Sequence, residues 1–252
     1  MDVSRLRFRL EALELRLESL SDEKAELERR LITFNRRHDE ALGDVIQRLL
    51  KARAELARLI ATEFSKGTDS SKRCEAEVDA ERAEDVYEEY SGQHEALKRA
   101  DPLLMLDEDS ERELKSFYRK ACSLCHPDKF SDEKKESAHH AFVELQEAYK
   151  RNNLTKVREI YEVLMVGGMP GTRSATLSKT EALAAAIAEM EYAIARQVGE
   201  LKALCGSEAV NLMNSAGESD DDWGQFFVRQ HEMFEDELVS IVSRLIDMQR
   251  EG

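Results

Sequence analysis

The sequence predicts an all-α chain with a long N-terminal coiled-coil helix, a central antiparallel helix pair and a C-terminal helical hairpin. Three observations carry this. Leu6, Leu13, Leu20, Leu27 and Phe34 recur every seven residues, the period of a coiled-coil seam. Charged residues make up 35% of the 252, against only 11 glycines and 3 prolines, a balance suited to long solvated helices. The three prolines, Pro102, Pro127 and Pro170, each fall where a helix is expected to break on other grounds.

The first element is predicted over residues 1–64. Val3, Leu10, Leu17, Leu31 and Val45 fill the alternate seam, with Lys24 and His38 as its polar members. Polar groups in a seam cost stability but fix register and partner choice. After Ala41 the phase slips to Leu42, Ile46, Leu49, Leu56 and Ile60, and Gly43 sits at the slip. A kink or a change of partner is expected there. The seam predicts a homodimer, or else packing of this helix on the C-terminal hairpin.

Residues 65–100 are predicted as a polar loop, from "SKGTDSSKRC", followed by a connecting helix. The central domain is expected over 101–165. The linker "VGGMPGTRSATLSKT", rich in glycine and small polar residues, follows over 166–180. Residues 181–252 read as a hairpin whose first helix starts at a capping-box spacing, Ser178 to Glu181. Leu183, Ile187, Met190, Ile194, Leu201 and Leu204 form one apolar stripe, and Phe227, Phe234, Leu238, Ile241, Leu245 and Met248 the other. Trp223, Phe226 and Phe227 read as helix packing near the turn.

The net charge of −15 excludes a general nucleic-acid binder, which needs a basic surplus. No segment has the roughly 20 apolar residues that span a bilayer. The charged N-terminus lacks the apolar core of a signal peptide, so a cytoplasmic protein with reduced thiols is expected.

The chemistry concentrates in "ACSLCHPDKF", Ala121 to Phe130. Cys122, Cys125 and His126 have the C-x-x-C-H spacing of c-type haem attachment. His126, Pro127 and Asp128 form an H-P-D tripeptide, which is weak alone. Helical phase separates the two. Leu114, Tyr118, Ala121, Cys122 and Cys125 lie on one face of a predicted helix, so the cysteines are core residues. Lys115, Ser116, Arg119, Lys120 and Ser123 form the opposite, basic face. Ser110 and Glu113 give a capping-box spacing at its start, and Pro127 ends it. After a loop, "SAHHAFVELQEAYKRN" supplies a second helix with Ala138, Ala141, Phe142, Leu145, Ala148 and Tyr149 inward. H-P-D is then expected exposed at the connection. A zinc site of Cys122, Cys125, His139 and His140 lacks a second C-x-x-C.

The stretches "ELKSFYRKACSLCHPDKF" and "AFVELQEAY" resemble the J domain of the DnaJ (heat-shock-protein-40) co-chaperone family, the first its basic helix and H-P-D loop, the second its third helix. The resemblance implies binding to a DnaK-type chaperone and stimulation of its ATP hydrolysis, with no cofactor and no catalysis by this chain. It implies that His126, Pro127 and Asp128 form the essential loop. Lys115, Arg119, Lys120 and Lys129 would then supply the docking face. The family's first helix, often Y-x-x-L-G, has no counterpart in "DPLLMLDED"; a helix within Gln93 to Leu106 is expected to serve. "NLTKVREIYEVLM" replaces its Lys/Arg/Ala-rich fourth helix. Phe117 and Leu124 stand where the family has a small residue and a basic one, and another helix is expected to cover them, partly masking the docking surface. Neither a Gly/Phe-rich segment nor a C-x-x-C-x-G-x-G repeat is present, so helical flanks would recruit a client or dimerise the protein. The rival reading, of a different class, is a coiled-coil scaffold with a degenerate, inactive J domain.

Overall fold

The computed structural model describes residues 2–65, 70–100, 103–104, 106–130, 132–166 and 172–251, with backbone alone for 132–134 and 251. Nine α-helices and no strand occur among them: α1 Val3–Ser65, α2 Ser70–Arg99, α3 Glu108–Cys125, α4 Asp132–Lys150, α5 Leu154–Val166, α6 Arg173–Thr176, α7 Thr180–Cys205, α8 Glu208–Ala216 and α9 Asp220–Glu251. Pro102 and Pro170, with all three glycines of the predicted linker, lie outside the described residues. None of the described helices is long and apolar enough to cross a membrane.

The chain divides into two compact units. The first comprises Met1–Thr33 with Pro102–Leu212, the second Phe34–Asp101 with Met213–Gly252. Helix α1 contributes its N-terminal part to one and the remainder to the other.

In the first unit the heptad seam finds its partner within the chain. Leu6, Leu10 and Leu17 are buried with Leu183, Ala186, Ile187 and Met190 of α7. Apolar side chains every three or four residues on both helices present matching stripes, and burying them removes each from water. Lys24, the polar seam member, reaches Glu200 of α7 at 2.7 Å. The capping box expected at Ser178 is not used: the N-cap of α7 is Lys179, without a side-chain cap bond.

The central core packs α3, α4 and α5 together. Leu114, Tyr118, Ala121, Cys122 and Cys125 are all buried, as the helical phase predicts. They meet Leu145, Ala148 and Tyr149 of α4 and Val157, Ile160 and Leu164 of α5. The Tyr118 and Tyr149 rings stack at 3.9 Å. Helix α5 thus makes the predicted pair a three-helix core, and Ala25 of α1 joins it. The cap of α3 is Asp107, not Ser110; its carboxylate accepts from the Ser110 backbone N–H at 2.7 Å. Within the segment expected to supply a first helix, residues 93–99 are the end of α2, and residues 103, 104 and 106 are non-helical.

In the second unit α1 runs through Gly43 as unbroken helix. The glycine serves close approach. A Cβ there would lie 2.2 Å from Cε1 of His94, and His94 is buried between Asp39, at 2.7 Å, and Asp44, at 3.1 Å. The partner does change: Leu49, Ala52 and Leu56 are buried with Leu238 and Leu245 of α9. The ring of Phe34 packs on Trp223 and Phe227, centroids 5.2 and 5.5 Å away.

Candidate functional site

His126 is the C-cap of α3, its backbone turned to the extended region and its N–H held by the Cys122 carbonyl. Pro127 enforces that turn and opens a 3₁₀ turn, Pro127–Lys129. The H-P-D segment is therefore restrained at both ends.

Its surroundings differ from the expectation of an exposed loop. His126 is 4% exposed and Lys129 5%, because α1 lies across them. Nε2 of His126 is 2.9 Å from Oγ of Ser21, and the imidazole packs on Phe142 with centroids 4.9 Å apart. Nζ of Lys129 donates to Glu18 at 2.6 Å and to the Ser123 carbonyl at 3.3 Å. Asp128 is half-buried, 3.6 Å from Lys135 and 3.8 Å from Arg196 of α7. Pro127 and Asp128 line a cleft of about 610 Å³ with Phe142, Val143 and Arg196, so the motif is open on one side only.

The basic face of α3 meets the same helix. Lys115 pairs with Glu26 at 2.9 Å and Arg119 approaches Asp22 at 3.8 Å. Lys120 is exposed, its amine 5.6 Å from the Phe117 ring centroid. Glu18, Asp22 and Glu26 are spaced four apart, one face of a helix. They meet Lys129, Arg119 and Lys115 in reverse order, so α1 and α3 run antiparallel with charges in register. This acidic row, with Ser21 and Arg196, is the part of the site sequence reasoning missed. The four-residue spacing in "ESLSDEKAE", matching that of Lys115 and Arg119, is the signal that could have found it.

The electrostatics are uneven along this contact. Burial alone would raise the Glu26 carboxyl, but hydrogen bonds from Arg29, Tyr149 and Lys115 hold it down at about 2. Tyr149 Oη donates to it at 2.6 Å. Arg29, buried, also donates to Asn152 Oδ1 at 2.9 Å. Asn152 has a φ of 57°, a left-handed conformation asparagine tolerates, and its amide donates to the Leu104 carbonyl. At the other end burial and the charge of Glu18 push Asp22 up to about 6. Its Oδ1 is buried without a partner, as are Nδ1 of His126 and the hydroxyl of Tyr118. Burial lowers His126 to about 4, against the raising effect of Asp128.

Phe117 and Leu124 are neither covered nor free: both are half-buried against the core. Phe117 packs on Tyr161 of α5, with centroids 5.4 Å apart. Cys122 and Cys125 face the core, whereas His139 and His140 are exposed on α4. Among the described residues no group of three or more His, Cys, Asp or Glu side chains could hold a metal ion.

Residues 103–162 match the family model of the DnaJ domain. No curated protein and no solved structure matches the chain. The match spans α3, the H-P-D turn, α4 and most of α5, with the core packing just described. Residues 103–162 thus carry a DnaJ domain.

Proposed function

We propose that this chain is a co-chaperone that binds a DnaK-type ATPase chaperone and stimulates its ATP hydrolysis, in the cytoplasm. One observation carries the reading: an intact His126-Pro127-Asp128 follows a helix that carries Lys115, Arg119 and Lys120 off its buried stripe. Several cations on one helical face steer toward an acidic partner and fix orientation. Pro127 limits the entropy lost when the motif is held against that partner. Asp128 lies in ion-pair range of Lys135 and Arg196, and a partner arginine fits the same carboxylate through a charge-assisted bond. The ATP is hydrolysed by the partner; this chain supplies no catalytic group. The helical flanks are the part that recruits a client.

The oligomeric part of the reading is a monomer. The seam that would bind a second copy buries Leu6, Leu10 and Leu17 on α7, and Leu49 and Leu56 on α9. A dimeric hydrodynamic mass in solution would refute this part.

The test of the activity is steady-state ATP hydrolysis by a DnaK-type chaperone titrated with the chain and with Asp128→Asn. Saturable stimulation lost in the variant is expected. Equal stimulation by both overturns the role of the motif.

A further inference from the structure

Of the groups that the co-chaperone reading needs free, α1 buries two and pairs with two more, of which Arg119 stays 69% exposed. Lys129 and His126 are buried under Glu18 and Ser21, and Lys115 and Arg119 face Glu26 and Asp22. The coverage is selective: of the seven candidate docking residues, four meet α1, and a fifth, Asp128, faces Arg196 of α7. The geometry points to an autoinhibited J domain, in which the acidic face of α1 occupies the docking surface as an internal ligand and must leave before the chaperone can bind. The proposal rests on the co-chaperone reading and adds regulation to it.

Three features favour a displaceable contact over a permanent one. First, apart from Ala25 in the core and Ser21 on His126, it is made of charges in register, the chemistry that an acidic partner surface can replace. Second, it is incompletely satisfied: Asp22 Oδ1 and His126 Nδ1 are buried without partners, and buried polar groups left unpaired oppose the contact that buries them. Third, the dissatisfaction is confined to one end. The Glu26–Arg29–Asn152–Tyr149 network is fully bonded, whereas the Glu18–Asp22 end holds two carboxylates that repel. The contact therefore has a firm end at Arg29 and a weak end over the motif, so that opening starts where the H-P-D turn lies. Leu6, Leu10 and Leu17, on the α7 side, take no part in it.

The experiment uses the full chain. Glu18→Lys with Ser21→Arg sets cations against Lys129 and His126 without touching the J domain's own surface. Two quantities are read: modification of His126 by diethyl pyrocarbonate, mapped by mass spectrometry, and stimulation of a DnaK-type ATPase. Both are expected to rise about tenfold over wild type, the scale of one coupled contact. In the opposite direction, Asp22→Cys places a thiol near Cys122, whose side chain adjoins the native carboxylate. Chains in which mass spectrometry shows that disulfide should stimulate less, and reduction should restore them. Equal His126 reactivity in wild type and the opened variant overturns the proposal. So does equal stimulation by oxidised and reduced Asp22→Cys, or strong and equal stimulation by wild type and the opened variant, which leaves the co-chaperone reading standing. An opened variant with reactive His126 that stimulates nothing removes the co-chaperone reading, and the inhibition with it.

Discussion

Nε2 of His126 lies 2.9 Å from the Ser21 hydroxyl, and the contact leaves the imidazole 4% exposed with its other nitrogen unpartnered. A histidine so placed is neutral at pH 7. Burial lowers it to about 4; Asp128 raises it, while Lys129 and Arg196 lower it further. Lys24, Glu136 and His139 line the same cleft. The unfolded chain takes up this proton near pH 6.5 and the folded chain only near 4. Between those values the unfolded state holds more protons, so this group's contribution to stability falls as pH falls. The slope approaches about 1.4 kcal/mol per pH unit for one proton. Urea unfolding should show wild type losing stability relative to His126→Gln from pH 6.5 to 4.5. A constant difference across that window contradicts a buried neutral ring.

Asp22 has the opposite sign. Its carboxyl, pushed up to about 6 by burial and by Glu18, binds its proton more tightly folded than unfolded. The stabilising protonated form is complete below about 3.8 and lost as pH rises through 6. Asp22→Asn removes the buried charge and should stabilise the chain at pH 7 by about 1–2 kcal/mol, discounted from the full shift for partial solvent access. The gain should shrink to nothing near pH 4. Because it favours α1 docked on α3, the variant should also stimulate a DnaK-type ATPase less than wild type. Destabilisation at pH 7 would show that the ion pair with Arg119 outweighs the cost of burial.

The buried stripe of α3 was legible because five positions obey one helical period, and helix phase alone assigns Cys122 and Cys125 to the core. The end of α3 was legible because Pro127 admits one backbone solution. The covering of His126 was not. A heptad pattern reports that a seam needs a partner without saying which helix supplies it, and the acidic row lies off the seam, where charged residues usually face water. At Gly43 the expected change of partner occurs, but the close approach was not legible, because only His94, far along the chain, fills the space the glycine leaves.

The cysteine assignment makes a direct prediction. Cys74 and Cys205 are exposed, Cys122 and Cys125 buried. Burial raises Cys125 to about 12 and Cys122 well above the ordinary thiol value, and the thiolate is the reactive form. A disulfide reagent such as dithionitrobenzoate at pH 8 should titrate two thiols rapidly in the native chain and four in denaturant. Rapid native reaction of a third thiol would show that the core behind the H-P-D turn opens readily.

Two glycines in helices test the close-approach argument with one substitution of opposite sign. Gly199 lies in α7 with nothing within 4 Å of an added Cβ. Gly199→Ala should therefore stabilise by about 0.5–1 kcal/mol, the helix-propensity difference. At Gly43 the same methyl would meet the His94 ring at 2.2 and 2.4 Å, on Cε1 and Nδ1. The imidazole is held by Asp39 and Asp44 and has no free direction in which to yield. Overpacking of this kind costs about 1–3 kcal/mol, and losing the bond that His94 donates to Asp39 adds to it, so Gly43→Ala should destabilise despite the better helix former. The double variant with His94→Ala removes the clash, and the effect of Gly43→Ala should then turn stabilising. Urea unfolding of the four proteins measures the coupling. A Gly43→Ala chain as stable as wild type would mean that His94 does not occupy the space the glycine leaves.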